Sequence, residues 1–483
     1  MKSGRNRLAV CLLIGLFLCC FCAEKQNFVG FGVTSDVDPL RRVIVLTPGE
    51  GTARQSYWFY MDEPLTLLGY DEGAVSQHDV LKKTLMRSGV EVLEVRDLLE
   101  NALQNARAEG SLEQALEKIF PTSFTKIRDH ADSLTADDLL GRSDDFYYVY
   151  DQEERFMPII DLALAFYFTR DFAAMTPRGL ILTNAKESWR SMEHRLGRFL
   201  FTYSDNLREC PILFDAEKED VYCEGGDILV RDEKTIFMGV NNFSDSKAAQ
   251  KIAIALDMDV IGVAMPPHED FSGANMEIMH LDTVFNFVDR DKILAVPYIF
   301  EKEYADENPM VDLLLSVERS FQYSRELQKP GEVGEGRGFE SKTGDSEAQE
   351  DSSQLMSLAK AVKYIPDVGW LTRYKAGSGE PEDLRTKLVD YLREEGYQAI
   401  WVGGDRGDMR EDKYIMERVF YEQSLQAANV VQLAPGKVLA YAHNRHTIQA
   451  LRDQGVEVVV FEGKYLADGL GGPHCLTMPV LRK

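Results

Sequence analysis

The sequence predicts an α/β fold assembled from several similar units, and three observations carry that prediction. A helix that ends at a glycine and runs straight into a strand recurs along the chain. Short apolar strands alternate with helical segments, and two stretches that break this rhythm stand apart as insertions. With 483 residues and 45% hydrophobic composition, the chain has enough apolar surface for one large core or two ordinary ones.

In chain order, a strand is expected over residues 42–46. LMRSGVEVLEV (residues 85–95) then gives the first helix-to-strand step, with Leu81 and Leu85 at helical spacing and Gly89 where a C-cap wants a left-handed residue. A looser copy covers residues 252–263, with Asp259 at the turn, and a strand follows at 292–296. LREEGYQAIWV (392–402) and LRDQGVEVVVF (451–461) repeat the step around Gly396 and Gly455, on either side of a strand at 437–441. An ordinary doubly wound sheet shares this step, and periodicity alone does not separate it from a degenerate repeat.

The first insertion is helical and spans about 97–155, its Leu-, Ala- and acid-rich part reaching about residue 140. The second, KPGEVGEGRGFESKTGDSEAQEDSS (329–353), has almost nothing to bury and reads as a disordered surface loop.

At the N-terminus, Lys2, Arg5 and Arg7 precede an apolar run over residues 8–23, the pattern of a secretory signal peptide. Residues 1–23 are therefore expected to be a leader and 24–483 the mature domain, secreted or held in a secretory lumen. An uncleaved anchor is the alternative, although the run is shorter than the roughly 20 apolar residues of a membrane span. Organelle targeting, with the leader as the first half of a two-part signal, is also open.

The net charge of -25, from 79 acidic and 54 basic residues, repels phosphate backbones and anionic membranes. No nucleic-acid partner is expected, nor any stable membrane association after leader cleavage. A homo-oligomer is neither required nor excluded. Four of the seven cysteines lie in the leader, leaving Cys210, Cys223 and Cys475. Three thiols make no disulfide scaffold, and at least one stays free or pairs between chains. Whether Cys210 and Cys223 pair is open.

Candidate chemistry lies in four short blocks. Gly471-Gly472-Pro473-His474-Cys475 is a glycine-rich turn presenting a thiol, and glycines permit both a tight backbone and close substrate approach. His280-Leu281-Asp282 leads into an apolar segment; on a strand, His280 and Asp282 would share a face with Leu281 packed behind. Glu224-Gly225-Gly226-Asp227 sets two carboxylates around a flexible pair, and Phe168-Thr169-Arg170-Asp171 closes another apolar run.

Taken singly, a small buried cysteine and solvated acidic turns explain each block as well. Taken together, they supply a thiol, an imidazole and several carboxylates. That set suits a planar cation: a guanidinium matches carboxylates in bidentate fashion, leaving its central carbon open to a thiolate. Metal binding fits less well, because no His or Cys pair stands at ligand spacing.

FTRD (168–171), EGGD (224–227), MHLDTVF (279–285) and GGPHC (471–475) resemble, in order, the signature blocks of the arginine deiminases. DPLRRVIVLTPG (38–49), QHDVLKKTLMRSGVEVLEVRDLL (77–99), GGD (403–405) and APGKVLAYAHN (434–444) extend the similarity over nearly the whole mature chain, apart from the 329–353 loop.

The resemblance implies the pentein fold, a five-fold pseudosymmetric β/α propeller with a helical insertion, and a catalytic domain over 24–483. It implies hydrolysis of L-arginine to citrulline and ammonia without cofactor or metal. Cys475 would attack the guanidinium carbon, and His280 would protonate the leaving ammonia and then activate water. Asp171 and Asp282 would clamp the guanidinium, while Glu224 would orient His280 and touch substrate. Phe168, Arg190 and Asp227 complete the expected substrate-binding set, with Arg190 a candidate for the substrate carboxylate.

The chain departs from its relatives where the amino-acid end of arginine is held. Ala165 replaces an Asn, Phe243 and Leu470 each replace an Arg, and Phe172 stands where a Pro is frequent. A charge-assisted hydrogen bond contributes roughly 1.5–3 kcal/mol, so losing two without replacement would weaken binding about a hundredfold or more. His443, Arg445 and His446 are candidates for replacement charge. Other guanidino substrates (agmatine, a methylarginine, a peptidyl arginine), amidino transfer to an amine, and a noncatalytic binding protein of the same fold are the competing expectations. A cysteine protease would leave the clamping carboxylates unexplained.

Overall fold

The computed structural model describes residues 30–49, 72–142, 148–150, 156–158, 163, 165–241, 243–265, 278–300, 367–469 and 471–483. The expected leader and the 329–353 loop lie outside these residues.

One strand–turn–strand–helix–strand unit is built five times. In each, a lead strand pairs antiparallel with a central strand, and a helix returns the chain so that a third strand pairs parallel on the far side. Two strands of the first unit are β2 (Leu40–Val45) and β3 (Glu91–Glu94), joined through the helix Glu72–Arg87. The second has β6 (Ala173–Met175), β7 (Leu180–Leu182), the helix Ser191–Tyr203 and β8 (Ile212–Asp215).

The third has β9 (Ile228–Val230), β10 (Thr235–Val240), the helix Ser246–Leu256 and β11 (Asp259–Ala264). The fourth has β12 (Phe285–Asp289), β13 (Lys292–Ala295), the helix Leu388–Glu394 and β16 (Gln398–Trp401). In the fifth come β17 (Val431–Ala434), β18 (Lys437–Tyr441), the helix Arg445–Asp453 and β19 (Glu457–Phe461).

The lead strand of the first unit is supplied by the other end of the chain: β20 (Met478–Arg482) pairs antiparallel with β2, and β1 (Gly32–Val33) joins its free edge. Terminal strands thus close a ring of five units, the five-fold pseudosymmetric β/α architecture expected above. Between β13 and the fourth helix, the hairpin β14 (Trp370–Tyr374) and β15 (Pro381–Lys387) extends the third unit's sheet.

The helix-to-strand steps follow from cap chemistry. Gly89, Gly396 and Gly455 have φ of +80°, +92° and +79°, which glycine adopts without steric cost, and one residue separates each from its strand. In the looser third copy the left-handed residue is Asp257 (φ +51°), not Asp259, which instead opens β11. The short acidic side chain tolerates that backbone, so the step survives without glycine. The second unit has no such step; the segment after Tyr203 makes several turns before β8.

The helices Val95–Ala108 and Leu112–Ile119 occupy the expected insertion and bury Leu98, Leu99, Ala102, Leu103 and Leu116 in one core with Leu196, Phe199 and Leu200. Helix ends at Leu139, however. The strands β4 (Tyr148–Tyr150) and β5 (Phe156–Pro158) pair as an antiparallel hairpin, so the last part of the 97–155 segment is not helical where described. Among the described residues no helix is long and apolar enough to cross a membrane.

Candidate active site

Because the units share one plan, the loops that lead into their first strands converge, and each delivers a polar side chain. Asp171 precedes β6, Glu224 and Asp227 precede β9, His280 and Asp282 precede β12, Asn429 precedes β17, and Cys475 precedes β20. All are buried.

EGGD and FTRD touch at backbone level. Gly225 N–H donates to the Asp171 carbonyl (3.0 Å), and Gly226 N–H to Asp171 Oδ1 (3.1 Å). A Cβ on Gly225 would fall 2.0 Å from the Arg170 carbonyl oxygen, and one on Gly226 2.6 Å from His280 Nδ1. The glycine pair is therefore what lets Glu224, Asp171 and His280 approach one another.

His280 does not sit on a strand. It is extended and opens a 3-10 turn over Leu281–Thr283, so the expected i, i+2 strand face is replaced by a turn with Leu281 buried in the core. Asp227 makes that turn: its Oδ1 accepts from Leu281 N–H (2.9 Å) and its Oδ2 from Ser244 Oγ (2.6 Å). Expected at the substrate, Asp227 instead ties the His280 loop to the third unit.

His280 Nε2 lies 3.3 Å from Glu224 Oε2, and Nδ1 lies 3.6 Å from Asp171 Oδ1. Burial alone would lower the imidazole's affinity for its proton. The carboxylates of Asp171, Glu224 and Asp227 outweigh it and lift the pKa to about 10, so His280 is an imidazolium at neutral pH.

Cys475 lies in the turn before β20. Its Sγ is 3.7 Å from Asp282 Oδ2 and accepts from Asn429 Nδ2 at 3.0 Å, while its N–H donates to Asn429 Oδ1 at 2.9 Å. Burial, then the Asp282 and Asp171 carboxylates, push the thiol well above its ordinary range. Asp282, raised to about 7 chiefly by burial, also takes a hydrogen bond from His474 Nδ1 (2.7 Å). Burial and the charges of Arg170 and Arg482 hold His474 neutral, and opposite Asp282 in its carboxylate form the tautomer with the proton on Nδ1 makes this hydrogen bond.

Arg190 is not free to meet a substrate carboxylate. Its guanidinium hydrogen-bonds Asp171 Oδ2 (2.9 Å), Glu193 Oε2 (2.9 Å) and Glu224 Oε2. Glu193, absent from the expected set, also accepts from Ala165 N–H (2.8 Å) and so fixes the segment before FTRD. Phe168 packs against Tyr167 with the rings tilted by 45° and their centroids 4.1 Å apart, and a Cβ on Gly471 would fall 2.1 Å from its ring, so Phe168 braces the nucleophile's turn. Phe243 is buried edge-on to His280, with centroids 5.6 Å apart.

His443 hydrogen-bonds the Leu425 carbonyl, and the N–H of His446 donates to Glu422, so these candidate cations lie around the start of the fifth unit's helix; Leu470 lies outside the described residues. Asp171, Glu224 and His280 bring ligand-type atoms within 4.8 Å of one another. Arg190 hydrogen-bonds both of these carboxylates, and His280 beside them is protonated. Cys210 and Cys223 are free and buried, and burial pushes both thiols up, Cys210 to about 12.

Asn429 was not visible as a candidate from sequence alone. An Asn between apolar residues in QAANVVQL carries no motif; the signal is positional, because it stands just ahead of a lead strand as Asp171, Asp282 and Cys475 do.

The arginine deiminase family model matches residues 68–329 and 366–482. An arginine deiminase of Mycoplasma capricolum is 25% identical over 480 residues, covering 93% of this chain and 97% of its own, and one of Bacillus thuringiensis is 24% identical over 478 residues, covering 93% and 98%. Solved structures with similar folds include an amidinotransferase, SxtG, of Microseira wollei (14% identity, TM-score 0.45, covering 94% of this chain and 97% of that one). A dimethylarginine dimethylaminohydrolase adduct is a second (11%, TM-score 0.42, 91% and 99%). With its family model spanning most of the chain, this protein belongs to the arginine deiminase family.

Proposed function

We propose that this protein is a guanidino-group hydrolase that converts L-arginine to citrulline and ammonia through a covalent intermediate on Cys475. The observation that carries the reading is the division of the site: a thiol beside Asp282 on one side, and a protonated His280 among Asp171 and Glu224 on the other. Glu224 Oε1 is a buried acceptor with no hydrogen-bond partner among the described residues, as a site built for N–H donors requires.

Burial, with the Asp282 and Asp171 carboxylates, keeps the thiol protonated. A guanidinium held by Asp171 and Asp282 brings positive charge to Cys475 and favours its thiolate. The thiolate attacks the guanidinium carbon, and the tetrahedral adduct collapses as His280 gives its proton to the departing nitrogen, which leaves as ammonia. The resulting thiouronium is attacked by water that loses a proton to the now neutral His280. Breakage of the C–S bond returns Cys475 and releases the ureido product. Glu224 orients His280 throughout.

Phe243 favours a second reading within the same chemistry. An apolar ring, not a cation, lies against His280, which suits a guanidino compound with no free α-carboxylate, such as agmatine or a peptidyl arginine. Ammonia and ureido product, followed from L-arginine, agmatine and N-acylated arginine amides with Cys475→Ala as control, decide between them. Cys475-dependent turnover of L-arginine supports the first reading, turnover only of compounds lacking the carboxylate supports the second, and silence on all of them removes both. Residues 1–23, if a leader as proposed, would place this chemistry in a secretory compartment.

A further inference from the structure

We propose that Asn429 is a catalytic residue of this site, holding Cys475 in register through its carbonyl and stabilising the attacking thiolate through its amide N–H. The inference deepens the hydrolase reading above and rests on it for the identity of the nucleophile.

The amide is used at both ends. Oδ1 accepts from the Cys475 backbone N–H (2.9 Å), and Nδ2 donates to Sγ (3.0 Å) and to the Asp282 carbonyl (3.1 Å). The Asn429 carbonyl also accepts from His474 N–H (3.3 Å). One side chain therefore fixes the backbone of the nucleophile, its sulfur and the loop carrying Asp282. A Cβ on Gly472 would fall 2.5 Å from Asn429 Cβ and 2.6 Å from its carbonyl oxygen, so the glycine turn is shaped to receive this residue.

The electrostatics need such a donor. Burial opposes ionisation of Sγ most, followed by the Asp282 and Asp171 carboxylates; a backbone hydrogen bond from Gly472 and the Asn429 amide, a neutral side-chain donor aimed at the sulfur itself, favour it. A hydrogen bond to the charged form of a group favours that form, and it strengthens as the thiolate develops. Position in the fold agrees. Four lead-in loops deliver Asp171, Glu224, His280 with Asp282, and Cys475; Asn429 is what the fifth unit delivers to the same place.

The test separates the backbone hold from the sulfur contact. Asn429→Asp keeps an oxygen for the Cys475 N–H but turns lone pairs and negative charge toward Sγ; Asn429→Ala removes both contacts. In the intact protein, the rate of Cys475 modification by iodoacetamide is followed against pH by peptide mass spectrometry, with thermal melting and the kcat-against-KM split on the best guanidino substrate. The inference expects the alkylation profile of Asn429→Asp to move up by about one unit or more, about a tenfold loss of reactive thiolate at fixed pH. It expects kcat to fall at least as far with KM changed little.

A folded Asp variant, or a folded Ala variant where Asp does not fold, whose alkylation profile overlies that of the unmodified protein overturns it. If no guanidino substrate is turned over but the profile still shifts, the hydrolase reading fails while the Asn429–Cys475 coupling stands.

Discussion

His474 Nδ1 donates to Asp282 Oδ2 at 2.7 Å, so the residue immediately before the nucleophile fixes the carboxylate expected to hold the substrate. Both side chains are fully buried, and neither can exchange the other for water. His474→Phe is expected to leave Asp282 without this donor, costing about 1–3 kcal/mol of stability and lowering turnover. His474→Gln, which keeps an N–H donor, should retain more of both. Chemical denaturation and initial rates of the two variants check this; equal losses would mean that His474 acts through its volume alone.

Arg190 is the counter-ion of a carboxylate cluster. Asp171, Glu193 and Glu224 all bond its guanidinium in the interior, where removing one partner of an ion pair leaves the others uncompensated. Arg190→Met is expected to destabilise the fold by about 3–5 kcal/mol, and Arg190→Lys nearly as much, because an ammonium cannot reproduce the fork. Were Arg190 a substrate-carboxylate ligand instead, Arg190→Met would raise KM for L-arginine with little change in the unfolding midpoint.

Stability should fall across the alkaline range. His280 is raised from 6.5 to about 10 in the folded protein, so between these values the native state holds a proton that the unfolded chain has released. The stabilisation is complete below pH 6.5 and is lost as pH rises through 10. Melting temperatures measured from pH 7 to 9.5 should decline, and less steeply in His280→Asn; identical slopes would show that His280 is not the group responsible.

The glycine turn before the nucleophile should tolerate no side chain. Gly472→Ala places a methyl against the Asn429 side chain and carbonyl oxygen, an overlap that costs about 1–3 kcal/mol when neighbours must shift. Activity should fall further than stability, because the displaced residue is the one that holds Cys475. A variant with unaltered kinetics would mean that the turn has room which the packing denies.

Much of this architecture was legible in the sequence because its signals are local. Gly89, Gly396 and Gly455 mark helix ends by a backbone conformation that few other residues adopt, and FTRD, EGGD and GGPHC carry their chemistry in contiguous residues. What was not legible depends on assembly. The strand expected at His280 is a turn because Asp227, from another unit, captures the Leu281 N–H. Arg190 reads as an available cation until three carboxylates, two of them distant in sequence, surround it. Asn429 has no motif, and only closure of the ring by β20 brings it to Cys475.

The covalent step is the centre of the account, and acid quenching during turnover tests it most directly. Peptide mass spectrometry of protein quenched with substrate should show Cys475 carrying the substrate minus ammonia, with more adduct in a variant such as His280→Ala if water activation is slowed more than formation. No adduct in either protein, together with undiminished turnover by Cys475→Ala, would contradict the assignment of Cys475 as nucleophile.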